Sequence, residues 1–221
     1  MGRVPPGFRD RREAGRLLAE QLRGHAGRDD VLVLGLPRGG VPVAFELARA
    51  LDAPLDVFVV RKLGLPGREE LALGAIASGG TRVVNAPVVE ALGISPETIA
   101  EIEGRERREL DRRERAYRGG RPPPDLAGRT VILVDDGLAT GSTMRAAVQA
   151  ARHHDPAKVV VAVPVASPDT CDDLRREADE LLCLLAVRPL CAVGVWYEDF
   201  SQTTDDEVRA LLAQAHGAAP A

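Results

Sequence analysis

Uninterrupted apolar runs alternate along this chain with stretches in which apolar residues recur at helical spacing. VLVLGL (31–36), DVFVV (56–60), TVILV (130–134), KVVVAVPVA (158–166) and LLCLLAV (181–187) read as strands buried on both faces. DRREAGRLLAEQL (10–22) places Ala14, Leu17, Leu18 and Leu22 on one face of a helix. VPVAFELARAL (41–51) and segments 142–152 and 168–178 read as further helices. Strands alternating with helices predict an α/β fold with a parallel β-sheet flanked by helices. Ligands of such sheets gather beyond the carboxyl ends of the strands. KLGLPGREE (62–70), rich in glycine and charge, predicts a mobile loop. LALGAIASGGTRVVN (71–85) predicts a hairpin turning at Gly79–Gly80.

Segment 95–118 differs from the rest. Ser95 and Pro96 form a helix start, with serine as N-cap and proline in the first turn. Acid-before-base pairs then follow at i,i+4: Glu101/Arg105, Glu103/Arg107, Glu109/Arg113, Asp111/Arg115 and Glu114/Arg118. Each contributes about 0.2–0.5 kcal/mol. Ile99, Ile102, Leu110 and Tyr117 make its apolar stripe, so a charged helix packed lightly on the body is expected. PPPDLAG (122–128) reads as a linker.

Composition narrows the class. With 221 residues, 45% hydrophobic and 28% charged, the chain fits one globular domain. No apolar run approaches the ~20 residues of a membrane helix, and MGRVPPGFRDRREAG has neither an apolar core nor a cleavage pattern. A cytoplasmic protein without membrane contact is expected. A net charge of −4 argues against a general nucleic-acid binder, which needs a basic face. Cys171, Cys183 and Cys191 lack paired spacing and are expected as reduced core thiols. His153–His154, before Asp155-Pro156, mark a helix end rather than a metal site.

The chemistry concentrates in VILVDDGLATGST (131–143). Two carboxylates side by side at the end of a buried strand repel, a cost that a ligand can offset. The small-residue loop that follows runs into a helix, which aims backbone N–H groups and the helix dipole at one point, a nest for an anion. Thr140, Ser142 and Thr143 add hydroxyl donors, and Gly141 permits close approach. Asp135 and Asp136 can accept hydrogen bonds from vicinal hydroxyls, so a sugar phosphate satisfies both halves. The plain structural alternative is a helix N-terminus behind an acidic turn. A Walker A loop is excluded, because no Gly-Lys-Ser/Thr follows.

The string resembles the signature of the type I phosphoribosyltransferases. The resemblance runs nearly end to end, through FRDRREAG, LGLPRGGVPVA, VRKLGLPG, ELALGAI, VILVDDGLATGSTM, VAVPVASP and VGVWYEDFSQTTDDEV, to a group of bacterial phosphoribosyltransferases of unassigned acceptor. It implies a single domain over 1–221 with a Rossmann-like parallel sheet flanked by helices. It also implies a small hood from terminal segments (about 1–28 and 188–221), a flexible loop over 62–77 and an inserted charged helix over 95–118. The implied activity moves the 5-phosphoribosyl group of phosphoribosyl pyrophosphate to a nitrogenous base or similar acceptor, releasing pyrophosphate with Mg²⁺.

By position, the resemblance makes Asp135 and Asp136 holders of the ribose hydroxyls and, through water, of the metal. Gly137, Leu138, Ala139, Thr140, Gly141, Ser142 and Thr143 then form the ribose-5′-phosphate site. Arg38, Gly39 and Gly40 bind pyrophosphate, with Arg61 and Lys62 as catalytic cations for the leaving group. A non-proline cis peptide near Leu36–Gly40 is also implied. Trp196 and Tyr197 are expected near the acceptor, although hood packing explains the cluster of Trp196, Tyr197 and Phe200 as well. Ala139 stands where 6-oxopurine enzymes carry an acidic base, which leaves the acceptor open. A non-catalytic sensor of phosphoribosyl pyrophosphate or nucleotide is the alternative, and a hydrolase using water a weaker one. A homodimer is expected, as in many relatives.

Overall fold

The computed structural model describes residues 7–65 and 68–217, and the side chains among them except over 68–72. Calls on 1–6, 66–67 and 218–221, at the expected hood ends and loop tip, lie outside the described residues. In chain order come α1 (Arg11–Gln21), β1 (Val31–Gly35), α2 (Gly40–Leu51), β2 (Leu55–Val57), β3 (Val60–Leu65), β4 (Arg68–Ala77) and β5 (Arg82–Val84). Then follow α3 (Ala86–Leu92), α4 (Pro96–Arg118), β6 (Thr130–Val134), α5 (Ser142–Arg152), β7 (Lys158–Ala166), α6 (Pro168–Leu174), β8 (Glu180–Ala186) and α7 (Asp205–Ala215).

Five strands form one parallel sheet in the order β2-β1-β6-β7-β8. Its middle strands are continuous apolar runs because both faces are covered. Val31 and Val33 join a core with α1, α2, α4 and α7, whereas Leu32 and Leu34 join a core with α5 and α6. Strand order reverses between β1 and β6, so a crevice opens beyond their carboxyl ends. The loops after β1 and β6 are PRGG and DDGLATG.

A second, antiparallel sheet has the order β3-β4-β5. Here the structure corrects two expectations. The strand expected over 56–60 leaves the parallel sheet after Val57, because Phe58 and Val59 are buried and Val60 begins β3. Val59 N–H donates to Ser78 Oγ (3.0 Å) and Ser78 N–H to the Val59 carbonyl (2.9 Å), which fixes the switch. Of the stretch 62–70, expected as a loop, the described residues 62–65 and 68–70 belong to β3 and β4, where cross-strand hydrogen bonds override the local turn composition. The expected strand pair at Gly79–Gly80 is present as β4–β5.

Three of the five expected i,i+4 ion pairs of α4 form: Glu103–Arg107, Glu109–Arg113 and Glu114–Arg118. The helix packs more firmly than expected, since Glu106 and Arg118 are buried beside its apolar stripe. Cys171 is buried, but Cys191 is exposed, which corrects its assignment to the core.

Candidate active site

The crevice exists because two backbones approach closely. A Cβ on Gly39 would fall 2.0 Å from Asp136 Oδ2, and one on Gly40 would fall 2.5 Å from the Val134 carbonyl oxygen. Glycine is therefore required at both positions. The Pro37–Arg38 peptide is cis, within the window implied by the resemblance.

Beyond β6, Asp135 Oδ1 accepts the Asp136 N–H at 2.9 Å. Asp136 Oδ2 accepts Arg11 Nε at 2.7 Å, and both of these side chains are largely enclosed. Arg11 is fixed further: its Nη1 donates to the Ser201 carbonyl (2.8 Å), and its guanidinium carbon lies 3.9 Å from the Phe200 ring centre. The Tyr197 hydroxyl donates to the Asp136 carbonyl at 2.6 Å from a ring wedged between Phe8 and Phe200. Burial raises the Asp135 carboxyl well above its ordinary range, and the adjacent Asp136 charge adds to the rise. Burial also raises Asp136, opposed by the hydrogen bond and charge of Arg11. Both acids resist ionisation in this setting and gain from a further cation.

The loop then turns into α5. Gly141 caps that helix at φ 69°, a left-handed conformation that suits glycine. The first amides of α5 have no partner within the helix. Thr140 Oγ1 lies 3.1 Å from Ser142 Oγ, and Thr143 is exposed. Lys62 Nζ donates to Ser142 Oγ at 3.3 Å, so this lysine stands at the start of α5. Gly137 and Ala139 hold the turn, with Ala139's carbonyl accepting Thr170 Oγ1 (3.4 Å). Leu138 is a correction: its side chain is in the core and its N–H is spent on the Val165 carbonyl (2.9 Å).

Other expected residues sit differently from one another. Arg38 lines a cleft of about 360 Å³ with Arg11, Gly39, Asp136 and Phe200, and its Nη1 is 3.7 Å from Asp205 Oδ1. Arg61 turns away from it and places Nε and Nη2 on Glu106 Oε2 at 2.9 and 2.5 Å. Tyr197 supports Asp136 from below, and burial pushes its hydroxyl pKa up. Half-buried Trp196 takes the Phe8 N–H on its carbonyl at 2.7 Å. Phe200 is the ring that reaches the cleft. Arg11 and Phe200 were not singled out as site residues in the sequence, because FRDRREAG reads as an ordinary amphipathic start and its contact with Asp136 spans 125 positions.

The acids also fit Mg²⁺. Two half-buried carboxylates face the single charge of Arg11, and a hard divalent cation held through water would offset the excess.

Comparison with known proteins agrees with this geometry. The chain shares 49% identity over 209 residues with "Putative phosphoribosyl transferase Rv0571c" of Mycobacterium tuberculosis, covering 95% of this chain and 47% of that protein. The chain thus spans about half the length of the curated relatives it matches. It is 30% identical over 164 residues to "Bifunctional protein PyrR" of a Roseiflexus species, covering 69% of this chain and 65% of that one. The crystal structure of TT1426 from Thermus thermophilus superposes with a TM-score of 0.85 at 45% identity, covering 94% of this chain and 98% of the other. The model of the phosphoribosyl transferase domain matches residues 10–189, and with the five-stranded parallel sheet and the acid-led loop in place, this chain belongs to that family.

Proposed function

We propose that this protein transfers the 5-phosphoribosyl group of phosphoribosyl pyrophosphate to a nitrogen nucleophile, releasing pyrophosphate with Mg²⁺. The observation that carries this reading is the joint between β6 and α5, where a half-buried acid pair leads directly into a small-residue loop and helix start opposite the PRGG turn. The 5′-phosphate would lie at the first amides of α5, with the Thr140 and Ser142 hydroxyls and the Lys62 ammonium as further donors. The vicinal ribose hydroxyls would donate to Asp135 and Asp136, Arg11 sharing or yielding its hold on Oδ2. Arg38 and the Gly39–Gly40 backbone would take the pyrophosphate.

In the reaction, the acceptor nitrogen attacks the anomeric carbon as the bond to pyrophosphate oxygen breaks, and that electron pair leaves with pyrophosphate. The sugar passes through an oxocarbenium-like state with inversion. Ionised acids beneath the ring favour its positive charge, while Arg38 favours the charge growing on the leaving group. Mg²⁺, held by Asp135 and Asp136 through water, would supply further neutralisation of the pyrophosphate. Arg61, tied to α4, serves the reaction by fixing the strand that carries Lys62.

We assign the hood to segments 1–28 and 188–221, whose described parts bring Arg11 and Phe200 over the cleft. Phe200, Gln202 and Thr203 then face the acceptor, with Trp196 and Tyr197 behind them. The functional unit in this reading is a homodimer.

Pyrophosphate release from phosphoribosyl pyrophosphate and Mg²⁺, measured across a panel of bases, tests the reading. Base-dependent release is expected. Donor binding without release on any base would convert the protein into a ligand sensor, and absence of donor binding would sink both readings.

A further inference from the structure

The two edges of the parallel sheet are finished in opposite ways. At β2, Leu55, Asp56 and Val57 are all buried. Arg118 seals that edge, with Nη2 donating to the Val57 carbonyl (2.7 Å) and Nε to Asp56 Oδ1 (3.1 Å). At the other edge, β8 pairs with β7 alone among the described residues. Residues 181–187 are LLCLLAV, without a charge or proline to guard the strand, and the side chains of 180–185 are only partly covered. Natural edge strands are normally guarded, because open N–H and C=O groups template pairing.

The direction of the open groups follows from one bond. Val187 N–H donates to the Ala166 carbonyl on the β7 side. Counting back by twos, Leu185 and Cys183 turn their backbone groups toward β7, and Leu184 and Leu182 turn theirs outward. No backbone hydrogen bond among the described residues reaches the outward groups.

We propose that β8 pairs antiparallel with β8 of a second copy about a twofold axis at Cys183, so that one sheet runs through both protomers. This rests on the homodimer reading above and names its surface. The occupant is a second copy because the strand is complementary to itself. LLCLL (181–185) reads the same in both directions about Cys183, so Leu182 meets Leu184 of the partner subunit and Leu181 meets Leu185 of the partner subunit. The outward-bonding Leu182 and Leu184 fall at hydrogen-bonded positions of that register, and Cys183 falls at a non-bonded one, as antiparallel pairing requires. An isologous contact of this kind closes at two subunits.

Sedimentation velocity on the full chain, with residue-resolved amide exchange by NMR, tests the proposal. The wild type is expected to be dimeric, with the Leu182 and Leu184 amides protected in step with protein concentration and the Cys183 amide protected throughout. Leu184→Arg is expected to yield a folded monomer. Ala186→Pro removes one outward donor at an exposed edge position and is expected to raise the dimer dissociation constant roughly tenfold, with the circular dichroism spectrum unchanged. A dimer whose Leu182 and Leu184 amides exchange freely, or one unmoved by Ala186→Pro, overturns this surface and leaves the homodimer standing. A wild-type chain that is monomeric at every concentration overturns both.

Discussion

The acid pair beyond β6 and the pair of cations on β3 are built on different logic. Asp135 and Asp136 extend from a central strand, are enclosed, and are partly neutralised inside the protein by Arg11 and the backbone. On β3, Arg61 and Lys62 are neighbours and point to opposite faces. Arg61 meets Glu106 on α4, whereas Lys62 meets Ser142 on α5. Two adjacent cations, alike in sequence, therefore divide into a structural anchor on Glu106 and a lysine at the start of α5, which the proposed function uses as a ligand group. The difference teaches that charge near a crevice is informative only with its partner: a cation already satisfied by a buried carboxylate has little left for a substrate.

The largest effect should come at the acid pair. Asp136→Asn keeps the fold and the Tyr197 bond to the main chain but weakens the negative charge under the sugar. Turnover should fall by about 10²–10³, the scale seen when a preorganised electrostatic group is removed. Pyrophosphate release checks it, and undiminished release would remove the acid pair from the mechanism.

The next effects separate the two cations. Arg61→Met should cost about 1–3 kcal/mol of stability, less than a fully buried pair because Arg61 is 29% exposed. Thermal unfolding reads that loss, with little change in donor affinity per folded molecule. Lys62→Met should do the reverse, weakening phosphoribosyl pyrophosphate binding roughly tenfold while leaving Tm nearly fixed. If both variants move the same observable, the division between anchor and ligand group fails.

A smaller effect has the opposite sign. The folded pKa values of Asp135 and Asp136 are raised, so their favourable contribution is present below the unfolded carboxylate pKa and is lost as pH rises through the folded values. Above the unfolded carboxylate pKa the pair is therefore a cost. Asp135→Asn should raise Tm by about 2–4 °C at neutral pH and by less in acid, while impairing turnover. A lower Tm at neutral pH would show that Arg11 and the backbone already compensate the pair.

Much of the site was legible because its signals are local. Strand, acids, small residues and helix start follow one another within 131–143, and the PRGG turn is equally compact. What was not legible depends on distant parts of the chain. Glycine and charge over 62–70 read as a loop, yet β4 supplies hydrogen-bond partners that local composition does not reveal. Leu138 resembled its loop neighbours until the Val165 carbonyl claimed its amide. Arg61 and Lys62 looked equivalent as cations for the leaving group, and only the contacts with Glu106 and Ser142 tell them apart. The start of α7 did carry a signal, Thr204 followed by Glu207, whose N–H the threonine caps at 3.1 Å, but it lay beyond the aromatic cluster that drew the reading.

By itself the sequence determined the parallel sheet, the two loops at its switch point and the acid-to-nest joint, because apolar runs and turn chemistry act over a few residues. Tertiary structure alone decided which β3 cation is tied to a carboxylate, which ring faces the cleft, and that Arg11 closes on Asp136. Those choices depend on partners far apart in the chain and on burial, which sets how much each charge is worth.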